Sequence, residues 1–204
     1  MPKLLLIITC LIAQFALADW QLDPVRSELT FTTIKKEIVA ETHKFTQLSG
    51  MVTEAGHGRL EIGLASVDTA NLVRDERLKI YLFEVDKFAM ASFETDLALD
   101  EIFELEEGVS LDFVLNGILS LHGLNRSLQT VVSITRQADN HFLVETTEPI
   151  SLDADDFGFS KGLKQLREMA DLVSINPTVD VYLKLQFQPL SEPLSQLEPG
   201  DPIP

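Results

Sequence analysis

Hydrophobic and polar residues alternate most regularly between residues 109 and 121. The odd positions in this stretch are Val109, Leu111, Phe113, Leu115, Gly117, Leu119 and Leu121. A period of two places successive side chains on opposite faces of a strand. A turn-forming segment, residues 123–126, follows, and Leu128, Val132 and Ile134 supply the apolar side of a returning strand. The pattern therefore predicts a long antiparallel hairpin.

Weaker alternation marks the other predicted strands. It involves Leu29 and Phe31; residues 45–52; Leu60, Ile62 and Leu64; Ala91, Phe93, Thr95, Leu97 and Leu99; Phe142, Val144 and Thr146; and Val179, Val181, Leu183, Leu185 and Phe187. About eight strands result, whereas only two short helices are expected, near residues 72–82 and 163–169. Because two short helices cannot cover such a sheet, it must bury its apolar face against itself. A mainly β fold follows, with an eight-stranded up-and-down antiparallel barrel favoured over a two-sheet sandwich.

The first of these helices begins where the hydrophobic period changes, between residues 60 and 93. Asp68, Thr69 and Asn71 are favourable N-cap residues, and apolar residues at helical spacing follow them. Alternation then returns, so a strand leads into a helix and back into a strand. We expect this helix, residues 72–82, to lie across one end of the sheet.

Both ends of the chain differ from this pattern. Residues 1–18 have the composition of a secretory signal peptide, and cleavage is predicted after Ala18, which places the protein in the periplasm. The single cysteine, Cys10, lies in this segment, so disulfides and cysteine-ligated metals are not expected in the mature chain. Residues 19–188 are predicted to form one domain, and the proline-rich residues 189–204 a disordered tail.

The chain is strongly acidic, with 16 Lys and Arg residues, 32 Asp and Glu residues and a net charge of −16. Such a surface repels nucleic-acid phosphates and anionic lipid headgroups, so nucleic acid is not an expected partner. Beyond the signal segment, no apolar run approaches the about 20 residues that a membrane-spanning helix needs. Stable membrane insertion is therefore not expected.

Candidate catalytic and metal-binding residues show no diagnostic spacing. The histidines are His43, His57, His122 and His141, and none has a partner at metal-ligand spacing. We expect all four to be solvated, with His122 the best placed to lie at a barrel rim. No serine lies in a Gly-x-Ser-x-Gly elbow, although a triad assembled in space stays open. The acidic loop 153–156 lacks the glutamate that an EF-hand needs at its twelfth position. No catalytic site or metal is predicted.

Five short segments follow one another in the central part of the chain: Ser66-Val67-Asp68-Thr69, Arg74-Asp75, Leu78, Phe83-Glu84-Val85-Asp86-Lys87-Phe88 and Ser92-Phe93. In this order they resemble the core motif of the YceI-like family of periplasmic lipid-binding proteins. The opening Trp20-Gln21-Leu22-Asp23-Pro24 is similar to the family's usual start, although Arg26 stands where a histidine is common. The resemblance covers nearly all of residues 20–187 and implies a lipocalin-like, eight-stranded antiparallel barrel.

The resemblance also implies a binding or carrier protein for a long-chain amphiphile, either a polyisoprenoid or an isoprenoid quinone. The apolar residues predicted to contact this ligand are Phe31, Phe45, Leu64, Phe83, Phe93, Phe113, Leu115, Val132, Phe142 and Phe159. Arg74, Asp75 and Leu78 are predicted to form a clasp that holds the helix over the barrel mouth. Composition alone favours a different interpretation, in which Arg74 and Asp75 are an exposed pair at a helix start. No cofactor is implied apart from a bound isoprenoid lipid.

The residues themselves leave several alternatives open. An eight-stranded barrel is either filled by side chains or holds one slim ligand, and Gly117, Thr95 and Thr146 leave room inside. A small-ester hydrolase with His122 or His141 as its base is one alternative function. An envelope interaction module that uses the tail or the acidic face is another. Homodimerisation stays open as well.

Overall fold

The computed structural model describes residues 19–35 and 39–190, which form twelve β-strands and three α-helices. The strands are β1 (Trp20–Leu22), β2 (Glu28–Lys35), β3 (Val39–Phe45), β4 (Leu48–Val52), β5 (His57–Gly63), β6 (Val67–Asp68), β7 (Met90–Asp96), β8 (Ser110–Leu121), β9 (Leu124–Arg136), β10 (Phe142–Thr146), β11 (Ile150–Asp153) and β12 (Thr178–Pro189). The helices are α1 (Leu72–Arg77), α2 (Leu99–Phe103) and α3 (Ser160–Met169), and a π-helical turn, Leu78–Leu82, continues α1. The predicted signal peptide and residues 191–204 of the predicted tail lie outside the described residues. Pro189, the first residue of the predicted tail, instead ends β12 and pairs with Trp20.

Antiparallel pairing closes the sheet into a ring of eight strands. The ring follows the order β1, β4, β5, β7, β8, β9, β10 and β12, and β12 pairs back onto β1. The short strands β2, β3, β6 and β11 are separated from β1, β4, β5 and β10 by brief breaks and extend them toward one end. The predicted eight-stranded antiparallel barrel is confirmed, and the sandwich alternative is wrong.

The hairpin formed by β8 and β9 matches the strongest sequence pattern. Its register pairs Phe113 with Val132 and Leu121 with Leu124. The turn is shorter than predicted, because His122 and Gly123 alone form it, with φ angles of 53° and 74°. Positive φ at both central residues is typical of two-residue hairpin turns whose twist matches that of the strands. The hairpin therefore stays paired up to its tip, with His122 at the barrel rim.

Chain direction determines what lies at each end of the barrel. β6 ends and β7 begins at the end that we call upper, so α1 and its π-helical turn lie there. β11 ends and β12 begins at the same end, which places α3 against the π-helical turn. The opposite, lower end holds α2, where the sequence suggested only an acidic connection. Asp100 and Glu101 suit the first turn of α2, and Ile102 is buried against the barrel.

The hydrophobic core lines the inside of the barrel and the undersides of the helices. Its most buried members include Trp20, Leu64, Val67, Ile102, Val132, Ile134 and Phe157. Gly117 does not leave the free space that its position suggested. A Cβ built there would lie 2.4 Å from Cζ of Phe93, so the ring of Phe93 already covers this glycine. Space for a ligand must therefore lie further inside.

Candidate functional site

An apolar cavity of about 790 Å³ occupies the inside of the barrel. Aliphatic and aromatic side chains from the strands form its walls, and residues of all three helices contribute at its two ends. Ligand pockets typically have volumes of about 300–1,000 Å³ and mainly hydrophobic walls. The cavity is therefore large enough for one elongated molecule, and side chains do not fill this barrel.

Most of the ligand-contact residues predicted from the sequence line this cavity. They are Phe31, Phe45, Leu64, Phe83, Phe93, Leu115, Val132, Phe142 and Phe159. Phe113 is the exception, because it packs against the core without lining the cavity. The structure thus places nine of the ten residues together around one space.

An aromatic cluster, missed by the sequence analysis, closes the lower end. The ring centroid of Trp20 lies 5.1 Å from that of Phe103 and 5.9 Å from that of Phe142. Arg136 donates from Nη1 to the carbonyl oxygens of Phe103 and Leu105, at 2.8 Å each, and so anchors α2 across this end. The sequence signal for this cluster was Ile102 and Phe103, an apolar pair within the acidic segment 100–107.

The upper end is covered by α1, its π-helical turn and α3, which we together call the lid. The helix predicted near residues 163–169 is present as α3, and its Leu163 and Leu166 line the cavity. A Cβ added to Gly162 would lie 2.3 Å from the carbonyl oxygen of Tyr81. The two halves of the lid therefore pack backbone against backbone, which only glycine at this position allows.

A row of four phenylalanines lies beneath the lid. Neighbouring ring centroids are separated by 5.3, 5.7 and 5.9 Å, in the order Phe31, Phe45, Phe83 and Phe159. Such spacings are favourable for aromatic pairs. The row connects the barrel wall to the segment just before α3, so the lid packs on a continuous aromatic layer.

The predicted clasp residues lie within the lid. Asp75 is only 5% exposed, and its Oδ1 accepts hydrogen bonds from the N–H and the hydroxyl of Thr69, at 3.0 and 2.5 Å. Arg74 donates to the hydroxyl and carbonyl oxygens of Thr69 and, at 2.7 Å, to the carboxylate of Glu41 on β3. Leu78 lines the cavity. The interpretation of an exposed pair at a helix start is therefore wrong for Asp75.

Several polar side chains face the cavity beneath α1. They are Thr33, Glu41, His43, Asn71 and Arg74. His43 is buried, and its Nε2 lies 3.2 Å from Oγ1 of Thr33 and 4.0 Å from Oε2 of Glu41. The expectation of a solvated side chain is wrong for His43, because β3 turns it inward. The cavity thus combines apolar walls with a polar group near one end.

Exposed lining residues show where the cavity reaches the surface. They are Ile34, Arg59, Asn71, Val73, Ala170, Asn176 and Pro177. Six of the seven belong to the end of β2, the start of α1 and the segment that follows α3. We call the opening between these three segments the mouth. It lies beside the polar group described above.

His122 joins three segments at the upper rim. Its Nδ1 lies 3.0 Å from the carbonyl oxygen of Phe157, and its Nε2 lies 3.1 Å from the carboxylate of Glu84. Hydrogen bonds from Lys87 and from His122 hold the pKa of the Glu84 carboxyl below its usual range. The tip of the β8–β9 hairpin is thereby tied to the segments on either side of it.

Replacing Glu84 with glutamine is expected to change the pH dependence of stability. A lowered native pKa means that this carboxylate stabilises the fold above its ordinary pKa of 4.5, and that the contribution disappears as the pH falls through the lowered value. Melting temperatures should therefore differ between wild type and Glu84→Gln near neutral pH and converge in acid. Asp86→Asn, an exposed neighbour, is the matched control. A difference that persists unchanged at low pH would contradict this assignment.

The described residues offer no site for a metal ion, because no group of three or more His, Cys, Asp or Glu side chains is suitably placed among them. The acidic loop before α3 uses its side chains locally instead. Asp153 accepts a hydrogen bond from the N–H of Asp155, whose carboxylate accepts one from the hydroxyl of Ser160. The first of these contacts caps the 3₁₀-helical turn of residues 154–157.

None of the helices in the described part of the chain is both long enough and apolar enough to span a lipid bilayer.

Comparisons with known proteins agree with this architecture. The chain is similar to a polyisoprenoid binding domain from Saccharophagus degradans implicated in plant cell wall breakdown, with 32% identity, a TM-score of 0.82, and coverage of 84% of this chain and 98% of that chain. It shares its fold with BcnA of Burkholderia cenocepacia, at 14% identity and a TM-score of 0.62 over 81% of this chain and 98% of that one. A Campylobacter jejuni YceI protein matches at 16% identity and a TM-score of 0.51, over 74% and 85%.

No curated protein sequence matches the chain significantly. A model of the YceI-like domain, however, matches residues 20–187, which include every strand of the barrel except the last two residues of β12. The match also contains the lid and the resembling motifs quoted above. The chain therefore belongs to the YceI-like family.

Proposed function

We propose that this protein binds and carries one long-chain isoprenoid lipid or isoprenoid quinone inside its barrel. The observation that carries the proposal is the cavity of about 790 Å³, which has apolar walls, a closed lower end and a mouth beside the lid. Its similarity to a domain described as polyisoprenoid-binding, at 32% identity over 98% of that domain, supports the same ligand class.

Burial of the tail would supply most of the affinity. Each CH₂ group removed from water contributes about 0.8 kcal/mol. At about 30 Å³ per heavy atom, the volume that one molecule occupies in liquid water, a cavity of about 790 Å³ accommodates roughly 25 heavy atoms, or about five isoprene units. We therefore expect affinity to rise with tail length up to about this size, and longer tails to extend through the mouth.

The ligand's polar end would face the mouth. Arg74, His43 and Glu41 line the cavity there, whereas Trp20 and Phe103 close the lower end. A polar headgroup placed at the lower end would lose its hydration against aromatic rings without gaining hydrogen bonds, which is costly. The tail would therefore enter first, with its end near Trp20.

Trp20 provides one readout, because it is the only tryptophan in the chain and lines the cavity. Quinones with tails of increasing length are titrated into the protein, and two signals are followed: the heat of binding, and the change in Trp20 emission that contact with the end of the tail would cause. A saturable binding heat at one equivalent, with affinity increasing with tail length, is the expected result. A lack of saturable binding heat with any quinone or polyisoprenoid tested would contradict the proposal.

Blocking the cavity should weaken this binding. Val144 and Val181 line the cavity and are half-buried. Val144→Phe with Val181→Phe places two rings where the tail would lie, and each ring excludes several CH₂ groups. Affinity is expected to fall by about tenfold or more. The matched control introduces the same residues on the outer face, at Val114 and Val131, and should bind as wild type does. Equal affinity in both variants would place the ligand outside the barrel.

We do not propose hydrolysis, because no described contact favours it. His122 and His141, the two histidines considered as bases, lie near the backbone carbonyls of Phe157 and Ala138 and do not line the cavity. Failure of the purified protein to turn over a generic ester is the expected result.

Homodimerisation stays a prediction that light scattering tests.

We also propose that residues 1–18 are removed and that residues 19–188 act as a single domain in the periplasm. Asp19 supports the N-terminal boundary, because its carboxylate accepts a hydrogen bond from the N–H of Glu54. The mature protein isolated from its native compartment should therefore begin at Asp19. N-terminal sequencing that finds the first 18 residues intact would contradict the proposed location.

A further inference from the structure

Exposed apolar side chains surround the mouth of the cavity. We call them the mouth surface, and they are Ile34, Leu72, Val73, Met169 and Val173. Leu72 is 83% exposed, Val73 61% and Val173 94%. Large exposed apolar residues grouped at one opening are unusual on a protein surface. Such a group typically marks an interaction site.

Contacts within the structure hold the three parts of the mouth surface together. Arg74 of α1 donates to Glu41, which pairs with Thr33 immediately before Ile34 at the end of β2. On its other side, Arg77 of α1 donates to the carbonyl oxygen at the end of α3, which precedes the segment containing Val173. The start of α1 therefore lies between the β2–β3 hairpin and the segment after α3.

The mouth surface is also continuous with the cavity. Val73 and Ile34 line the cavity and are exposed at the same time, and Leu172 and Ile175, beside Val173, line it as well. An apolar path therefore leads from the outside of the protein to the barrel interior. A partner that covered this surface would face directly into the cavity.

The charge around the mouth differs from that of the rest of the chain. Residues 72–82 and 160–177 carry six of the 16 Lys and Arg residues but only four of the 32 Asp and Glu residues. One of those four acids, Asp75, is buried beside Thr69. Lys161 and Lys164 of α3 are exposed. Glu41, which accepts a hydrogen bond from Arg74, adds a fifth acid beside the mouth. An apolar surface that is close to neutral, with exposed cations on α3, therefore lies on a strongly anionic protein.

We infer that the mouth surface docks onto an anionic phospholipid bilayer, with Leu72, Val73 and Val173 inserted among the lipids and the cations of the lid near the headgroups. Apolar residues framed by Lys and Arg are the combination that binds peripheral proteins to such membranes. The acidic remainder of the surface would be repelled, which orients the mouth toward the membrane. The whole-chain charge, from which repulsion of anionic lipids was expected, does not describe this local surface.

Docking of this kind fits the proposed function, since a long apolar tail could pass between bilayer and cavity without crossing water. Vesicle binding itself does not depend on that function, so an experiment can contradict the docking inference without contradicting the proposed function, and the reverse. The strong acidity of the protein argues against a second copy of the chain as the partner that covers the mouth surface, because two such chains repel one another.

Vesicle flotation without any isoprenoid tests the inference. The mature protein should float with phosphatidylethanolamine vesicles that contain phosphatidylglycerol, and more weakly with phosphatidylcholine alone. Leu72→Ser, Val73→Ser and Val173→Ser combined should reduce bound protein by about tenfold or more, since the apolar contact with the bilayer is lost. The matched control replaces Val114, Ile118 and Val131, which are exposed on the outer face of the β8–β9 hairpin, and should float as wild type does.

A second arm tests the charges without touching the apolar residues. Lys161→Gln with Lys164→Gln should weaken flotation with anionic vesicles only, whereas Lys44→Gln with Lys184→Gln should not. Retained melting temperatures show that the variants are folded. Wild-type protein that fails to float, or that forms a dimer dissociated by the serine substitutions, would overturn the inference, and so would equal losses in the serine variant and its control.

Discussion

Asp75→Ala is expected to lower the free energy of unfolding by about 2–4 kcal/mol, because it leaves the N–H and hydroxyl of Thr69 without their acceptor. Both residues are only 5% exposed, so water cannot readily replace the carboxylate. Arg74 depends on the same threonine for two of its hydrogen bonds. The change should therefore loosen the start of α1 as well as destabilise the barrel.

Denaturant unfolding measures this effect, and Glu76→Ala is the matched control. Glu76 is the next residue in α1, but its side chain is largely exposed and forms an ion pair with Lys79, at 2.9 Å. Exposed ion pairs of this kind contribute at most about 1 kcal/mol. Equal, small losses for the two variants would show that Asp75 does not fasten the lid.

Gly162→Ala is expected to separate the two halves of the lid. The new Cβ would lie 2.3 Å from the carbonyl oxygen of Tyr81 and 3.0 Å from Cα of Leu82. Both atoms belong to backbone and cannot swing away as a side chain could, so α3 must shift. Overpacking of this kind costs about 1–3 kcal/mol, and we expect a bound quinone to leave about tenfold faster.

The sign of the stability change makes this variant informative. In a helix without such a contact, alanine in place of glycine stabilises by roughly 0.5–1 kcal/mol. Lys161→Ala, at the preceding and exposed position, is the control for helix propensity. Thermal unfolding and the rate at which bound quinone transfers to an excess of acceptor vesicles report the two effects. A more stable Gly162→Ala protein with an unaltered release rate would mean that α3 does not rest on the π-helical turn.

Most strand positions could be predicted because one side of each strand faces an apolar interior, although β3 and β11 were not among the predicted strands. Alternation from Val109 to Leu121 follows directly from this geometry, and β8 covers Ser110–Leu121. Ring closure could not be predicted in the same way. It depends on Trp20 pairing with Pro189, from opposite ends of the barrel's sequence, and no local pattern encodes such a contact.

The residues of the candidate site divide in the same way, into those that local sequence patterns predict and those that depend on contacts between distant segments. Large apolar residues on the inward face, such as Phe93 and Leu115, line the cavity because their strand period directs them there. The burial of His43 and Asp75 could not be predicted, because hydrogen bonds with residues on other segments offset the free-energy cost of removing these polar side chains from water. The strand period alone does not identify which inward-facing residues line the cavity. Phe113 faces inward but packs against the core beside the cavity.

The most direct measurement of the central claim is the lipid content of the protein as the cell makes it. The mature protein is purified from its native compartment without detergent, extracted with organic solvent and examined by mass spectrometry. We predict about one equivalent of an isoprenoid lipid or quinone per protein, and much less from the Val144→Phe, Val181→Phe variant. An extract without stoichiometric lipid, from a protein that also fails to bind added quinone, would contradict the account.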